Sequence, residues 1–229
     1  MNELSRYDNR VHAGEILSKA LLKYSADDST LVFALPRGGV PVGHTIARKL
    51  NKPLDIFVVK KIGAPGQEEL AIGAIASTGE ISINKELVKR LDISDRELQE
   101  LIDFKKEELK DRELLLRGNT HPINIKDKRV ILVDDGLATG ATMLTAIKAI
   151  QKLSPIEIIV AVPVASHEAL ATISKEANQI ICPLVPDFFY SVGVWYEDFR
   201  QTTDGEVLTL LKSAKHDYES SHQDKRAII

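Results

Sequence analysis

Apolar and polar positions along this chain follow two alternating rhythms. Residues 9–24 carry Val11, Ile16, Leu17, Ala20 and Leu21 at helical spacing, which predicts one apolar face on a helix. The run from Thr30 to Leu35 is continuous, apolar and short, as a buried strand requires, and Pro36-Arg37-Gly38-Gly39 stops it. A helix is predicted over 41–50, with Pro41 in the first turn, where its missing N–H costs nothing. Residues 54–59 read as a second strand that ends at Lys60 and Lys61, on the ligand edge of the sheet. Residues 62–69 read as a mobile loop, and short β segments at 71–76 and 80–84 flank a turn at Thr78-Gly79.

The second half repeats the alternation. Ser94 with Glu97 three residues on forms a capping box at the head of a long charged helix ending near Leu116. Its apolar positions, Leu98, Leu101, Ile102, Leu109 and Leu116, are sparse, so most of that helix should face water or a partner. A strand over 129–133 runs into Asp134-Asp135-Gly136, and a helix follows over 141–153. Strand 156–162, helix 166–176, strand 179–183 and a last helix over 204–215 complete the pattern, with a polar tail over 216–229 expected to fray. Strands alternating with helices in this way imply right-handed βαβ units and a mainly parallel sheet covered on both faces. One α/β domain over 1–215, with a mobile insertion around 62–118, is the expected organisation.

Composition narrows the picture. Hydrophobic residues make up 44% and charged residues 28%, the balance of a globular chain rather than a disordered one. A net charge of -3 gives no overall attraction to nucleic acid, so any phosphate chemistry must come from local groups. The single Cys182 excludes an intrachain disulfide framework and lies in an apolar run, as a small buried hydrophobe would. Residues 1–25 carry charges throughout and no apolar run has transmembrane length, so the cytoplasm is the expected location. The six histidines lack metal-ligand spacing and are assigned no role.

The chemistry concentrates in residues 130–142, Val-Ile-Leu-Val-Asp-Asp-Gly-Leu-Ala-Thr-Gly-Ala-Thr. Four β-formers bury a strand, and two carboxylates emerge at its C-terminal end, where open parallel sheets bind ligands. Small residues and two threonines then lead straight into a helix. Backbone N–H groups, hydroxyls and the helix dipole suit such a loop to a phosphate monoester. Carboxylates beside it would repel that ligand unless they met ribose hydroxyls, directly or with a divalent cation.

This pattern resembles the 5-phosphoribosyl-1-pyrophosphate (PRPP) signature of the type I phosphoribosyltransferases. The resemblance implies that family's α/β fold with a small hood over the sheet edge. It implies ribose contacts, with Mg²⁺ near them, for Asp134 and Asp135. Gly136 and Leu137 lead into the wrap of Ala138, Thr139, Gly140, Ala141 and Thr142 around the 5′-phosphate. Pro36-Arg37-Gly38-Gly39, roughly ninety residues ahead, resembles the family's pyrophosphate loop, in which glycines allow close approach and arginine binds the diphosphate. There the resemblance suggests a cis non-proline peptide. Either Lys60 or Lys61 would face the pyrophosphate or, equally, remain a surface lysine.

Residues 62–69 occupy the place of the family's closing loop, which must exclude water from an oxocarbenium-like centre. Relatives acting on hypoxanthine and guanine carry an aspartate where this chain has Ala138. Relatives acting on adenine carry alanine there as this chain does, and an acid such as Glu69 would have to take the aspartate's place if the acceptor is a purine. Arg112 and Arg117, at the end of the long charged helix, could reach a phosphate or a neighbouring subunit, yet with Glu68 and Glu69 they read rather as a solvated charged face. Residues 185–199 hold much of the aromatic content and suit either a wall that stacks a base or a cap on the core.

A Mg²⁺-dependent transfer of the phosphoribosyl group from PRPP to a nucleobase-like nitrogen, releasing pyrophosphate, is the leading expectation. A non-catalytic PRPP sensor or RNA-binding regulator is the alternative. Nothing resembles the ATP-binding element of a PRPP synthase or the G-x-S-x-G of a fused hydrolase.

Overall fold

The computed structural model describes residues 6–118 and 122–226, without the side chains of Glu69 and residues 224–226. The role expected of Glu69 therefore lies outside what is described, as does His121. Alternation within single strands explains how the central sheet is covered. In β1 (Thr30–Ala34), Leu31 and Phe33 enter one apolar cluster while Val32 and Ala34 enter the other. The same division separates Val130 and Leu132 from Ile131 and Val133 in β6 (Arg129–Val133). A strand buried on both faces reads as a continuous apolar run, which is why the sequence shows these strands so plainly.

Five strands form the parallel sheet in the order β2-β1-β6-β7-β8, where β2 is Leu54–Ile56, β7 Glu157–Ala161 and β8 Gln179–Ile181. Helices α1 (Arg10–Leu21), α2 (Gly39–Leu50) and α7 (Asp204–Arg226) supply the first cluster. Helices α5 (Ala141–Gln151) and α6 (His167–Ile173) supply the second. From β1 the chain turns outward to β2, whereas from β6 it turns the other way to β7. The winding therefore reverses between β1 and β6, and a ligand crevice opens outside their carboxyl ends.

Residues 62–69 are not a loop. They build most of a hairpin between β3 (Val59–Ala64) and β4 (Gln67–Ala76), turned at Pro65-Gly66 with Gly66 at φ 70°. With β5 (Ile81–Ile83) these form a separate three-stranded antiparallel sheet. Consequently Lys60 and Lys61 lie within β3 rather than at the end of β2. Ile62 and Ile72 of this sheet pack with Val88 of α3 (Lys85–Arg90), a helix absent from the sequence reading, and with Ile102 of α4 (Asp95–Arg117).

Ser94 and Glu97 make the expected capping box on α4, whose buried apolar residues are Ile102, Leu109 and Leu116. Arg117 is not on a solvated surface. It is buried against Asp55, with both carboxylate oxygens on its guanidinium and a further bond to the Ile56 carbonyl oxygen at 2.9 Å. The expected end of the last helix at 215 is also too early, since α7 runs on to Arg226. Ala214, Tyr218 and Ser221 reach neighbouring structure there, Ser221 through a 2.7 Å bond to Asn51. No described helix is long and apolar enough to cross a membrane.

Candidate functional site

Parallel register brings the two predicted loops level. Ala34 pairs with Val133, and the Leu35 N–H then donates to the Val133 carbonyl at 2.9 Å, so both chains leave the sheet side by side. The Pro36–Arg37 peptide is cis, as the resemblance suggested. Gly39 opens α2 directly against the other motif: a Cβ there would lie 2.7 Å from the Val133 oxygen and 2.9 Å from the Asp134 Cα. Gly38 sits as closely on Asp135. The Pro36–Gly39 turn and the acidic pair thus form one continuous surface.

Asp134 and Asp135 are half-buried, and the Asp135 N–H donates to Asp134 Oδ1 at 2.8 Å. Burial pushes Asp134 well above the usual carboxylate range, and the neighbouring Asp135 charge adds to that. Burial also raises Asp135, while the Arg10 guanidinium opposes the rise. Two crowded, partly desolvated carboxylates are a donor set for hydroxyls or for a hard cation such as Mg²⁺, which takes one or two carboxylates plus ligand and water oxygens. Among the described residues no group of three or more His, Cys, Asp or Glu side chains gathers.

Beyond the acids, Gly136 takes φ 159° with its Cα packed on Val192, since a Cβ would meet that side chain at 2.5 Å. Leu137 is buried and fixes the loop, its N–H on the Val164 oxygen at 2.9 Å and its oxygen accepting from Ser166 at 3.0 Å. Ser166 Oγ also donates to the Ala138 oxygen at 2.7 Å. Ala138 and Thr139 are exposed, Gly140 turns the chain at φ 72°, Ala141 starts α5, and the exposed Thr142 follows. Gly140 as N-cap offers no side chain, and the Ala141 N–H that opens α5 donates to Thr139 Oγ1 at 3.4 Å, with the exposed Thr142 close behind. This end of the crevice is suited to an anion.

Arg37 stands half-buried at the other end, its Nη1 3.8 Å from Asp204 Oδ1 at the start of α7. Arg112 reaches the same oxygen at 2.9 Å, so two arginines converge on one carboxylate. The lysines separate by strand alternation. Lys60 lies 3.9 Å from Glu108 of α4, whereas exposed Lys61 lines a cavity of about 450 Å³ with Ala141 and Thr145 of α5.

The aromatic segment divides between its two expected roles. Tyr196, with Tyr7, belongs to a small core that Trp195 and Phe199 pack against, and Tyr196 stacks on Phe199 with ring centres 4.9 Å apart. Phe188 and Tyr190 are exposed. Burial raises the Tyr196 hydroxyl above its ordinary range, and it donates to the Asp135 carbonyl at 2.6 Å. Residue 7 pairs with 196, and the Glu197 N–H donates to the Tyr7 oxygen at 2.8 Å. Cys182 is half-buried, and burial pushes its thiol up to about 11.

Sequence reasoning missed Arg10 and Asp204, which touch Asp135 and Arg37, and it gave Tyr196 only as part of the aromatic segment, without its contact to Asp135. The only local signal was the Asp8-Asn9-Arg10 cluster ahead of an apolar helix, which reads as a cap. Asn9 does cap α1.

The phosphoribosyl transferase domain family model matches residues 7–199. A Mycobacterium tuberculosis (strain H37Rv) protein that carries a phosphoribosyl transferase name is 34% identical over 212 residues, 93% of this chain and 48% of that protein. This chain thus spans about half the length of the curated relatives it matches. A uracil phosphoribosyltransferase of Mycoplasma genitalium is 48% identical over 54 residues, 24% of this chain and 26% of that one. The crystal structure of TT1426 from Thermus thermophilus superposes with a TM-score of 0.77 at 35% identity, covering 90% of this chain and 97% of that one.

Proposed function

Because the chain belongs to the phosphoribosyl transferase domain family, we propose that it binds PRPP and transfers the phosphoribosyl group to a nitrogen acceptor, releasing pyrophosphate. The observation that carries this reading is the contact of Gly38 and Gly39 with Asp135, Asp134 and Val133, which makes one crevice of the two phosphate loops. Exposed Thr139 and Thr142, with the N–H groups of α5, hold the 5′-phosphate. Asp134 and Asp135 receive the ribose hydroxyls. Arg37 and the start of α2 take the pyrophosphate.

The acceptor nitrogen forms a bond to ribose C1 as the C1–oxygen bond breaks, the departing electron pair leaves with pyrophosphate, and the proton from the nitrogen passes to pyrophosphate or solvent. Positioning and charge stabilisation supply the rate, with no covalent enzyme intermediate. Bound near Asp134 and Asp135, through water or the ribose hydroxyls, Mg²⁺ supplies positive charge that neutralises the diphosphate. The proposed part of the β3–β4 hairpin is that of a closing loop, excluding water from C1.

The second reading is a PRPP-binding regulator that uses the same crevice and performs no transfer, because fold alone does not fix function. Calorimetry of PRPP with Mg²⁺, followed by pyrophosphate release against a panel of nucleobases, tests both readings. Binding with release upholds transfer, binding without release from any base upholds the sensor, and no binding overturns both.

A further inference from the structure

Arg10, the first residue of α1, divides its guanidinium among three neighbours. Nε and Nη2 both stand 2.8 Å from Oδ2 of Asp135. Nη1 donates to the Arg200 carbonyl oxygen at 2.7 Å, and the guanidinium carbon lies 4.0 Å from the centre of the Phe199 ring. The side chain is only 11% exposed, and that of Asp135 14%. Asp135 is therefore held by its backbone oxygen, through Tyr196, and by its carboxylate, through Arg10, both anchored in residues 196–200. Gly38 closes against the same Oδ2.

A single carboxylate oxygen engaged by two guanidinium nitrogens has little capacity left for a ligand. Oδ1 remains. We propose that Arg10 is a positioning residue for the ribose end of the ligand, holding Asp135 by Oδ2 so that Oδ1 meets the ribose hydroxyls. The inference rests on the phosphoribosyl reading above and adds a residue outside both phosphate loops. A mere staple between α1 and the β6 loop would stabilise the fold and leave ligand selectivity alone. A positioning residue acts on ribose-bearing ligands and spares those without ribose.

Calorimetry on the full chain with Mg²⁺ compares PRPP, ribose-5-phosphate and pyrophosphate for wild type, Arg10→Met and Arg10→Lys. Arg10→Met is expected to weaken PRPP and ribose-5-phosphate by about tenfold or more, as loss of a charge-assisted contact implies, with pyrophosphate binding unchanged. Arg10→Lys restores part of that loss, because it keeps the charge without the fork. Equal loss of all three ligands, or of none, overturns the proposal. If Arg10→Met does not fold, Arg10→Lys decides alone: ribose ligands weakened with pyrophosphate intact supports the assignment, and any other pattern overturns it. A wild-type chain that binds no PRPP defeats the family reading and this inference together, whereas wild-type binding with unaffected variants defeats Arg10 alone.

Discussion

A Cβ on Gly38 would stand 1.9 Å from Oδ2 of Asp135, nearer than any two unbonded atoms approach. The pyrophosphate-like turn and the acidic pair are therefore fitted to one another through a missing side chain. Gly38→Ala is expected to displace Asp135, destabilise the fold by about 1–3 kcal/mol and weaken PRPP binding. Thermal melts and calorimetry read the two effects. In an Asp135→Gly background, which itself strands the Arg10 charge, adding Gly38→Ala should cost little further stability, because the clash has lost its partner.

Asp134 predicts a conflict between stability and binding. Its proton affinity is raised in the fold by burial and by Asp135, so the folded state favours the protonated form. The stability this contributes is present below the ordinary carboxylate range and is lost as pH rises through the folded value. Asp134→Asn should thus melt higher than wild type at neutral pH in EDTA, with the difference closing as pH falls, while PRPP affinity drops. A variant melting lower than wild type at neutral pH would contradict this account.

Much of the fold was legible because buried parallel strands are unbroken apolar runs. The segments 30–35 and 129–133 could hardly be read otherwise, and the two loops follow them directly. The failures share a different cause. The β3–β4 hairpin is polar along its turn, with small residues where core residues would mark a strand, and Pro65-Gly66 was the turn signal that went unused. Arg117 looked like one more charge on a charged helix because Asp55 is 62 residues away. Arg10 is hidden for the same reason, 125 residues from Asp135. Motif chemistry is local, whereas the side chains that hold a motif in place are not.

The two ends of the crevice should separate by mutation. Thr139→Val with Thr142→Val removes hydroxyls beside the α5 N-terminus, each worth about 1.5–3 kcal/mol if it meets a charged phosphate oxygen. That variant should lose ribose-5-phosphate and PRPP alike. Arg37→Ala should weaken PRPP and pyrophosphate while sparing ribose-5-phosphate. Matching losses of all ligands in both variants would mean that the crevice does not divide this way.

The buried pair of Arg117 and Asp55 has no part in the proposed crevice, which makes it a control. Removing one partner strands a charge at the edge strand, and Asp55→Ala is expected to cost about 3–5 kcal/mol. A chemical denaturation curve measures this directly. An unchanged midpoint would show that the pair is offset by water or by Glu113, which also approaches Arg117 at 3.4 Å.

The pairing of Tyr7 with Tyr196 also has a meaning in time. A ribosome releases the segment carrying Tyr7 and Arg10 long before the one carrying Tyr196, Phe199 and Arg200. At usual rates of synthesis the interval between Tyr7 and Tyr196 is roughly 10 to 40 seconds. Once β6 has emerged, the Pro36–Gly39 turn and the acidic pair can stand side by side on β1 and β6, while Asp135 still lacks Tyr196 and Arg10 lacks Arg200 and Phe199. The nascent chain thus acquires its phosphate loops early and the bracing of its ribose acid late. That bracing of the ribose acid can form only once the later segment has closed over the earlier one.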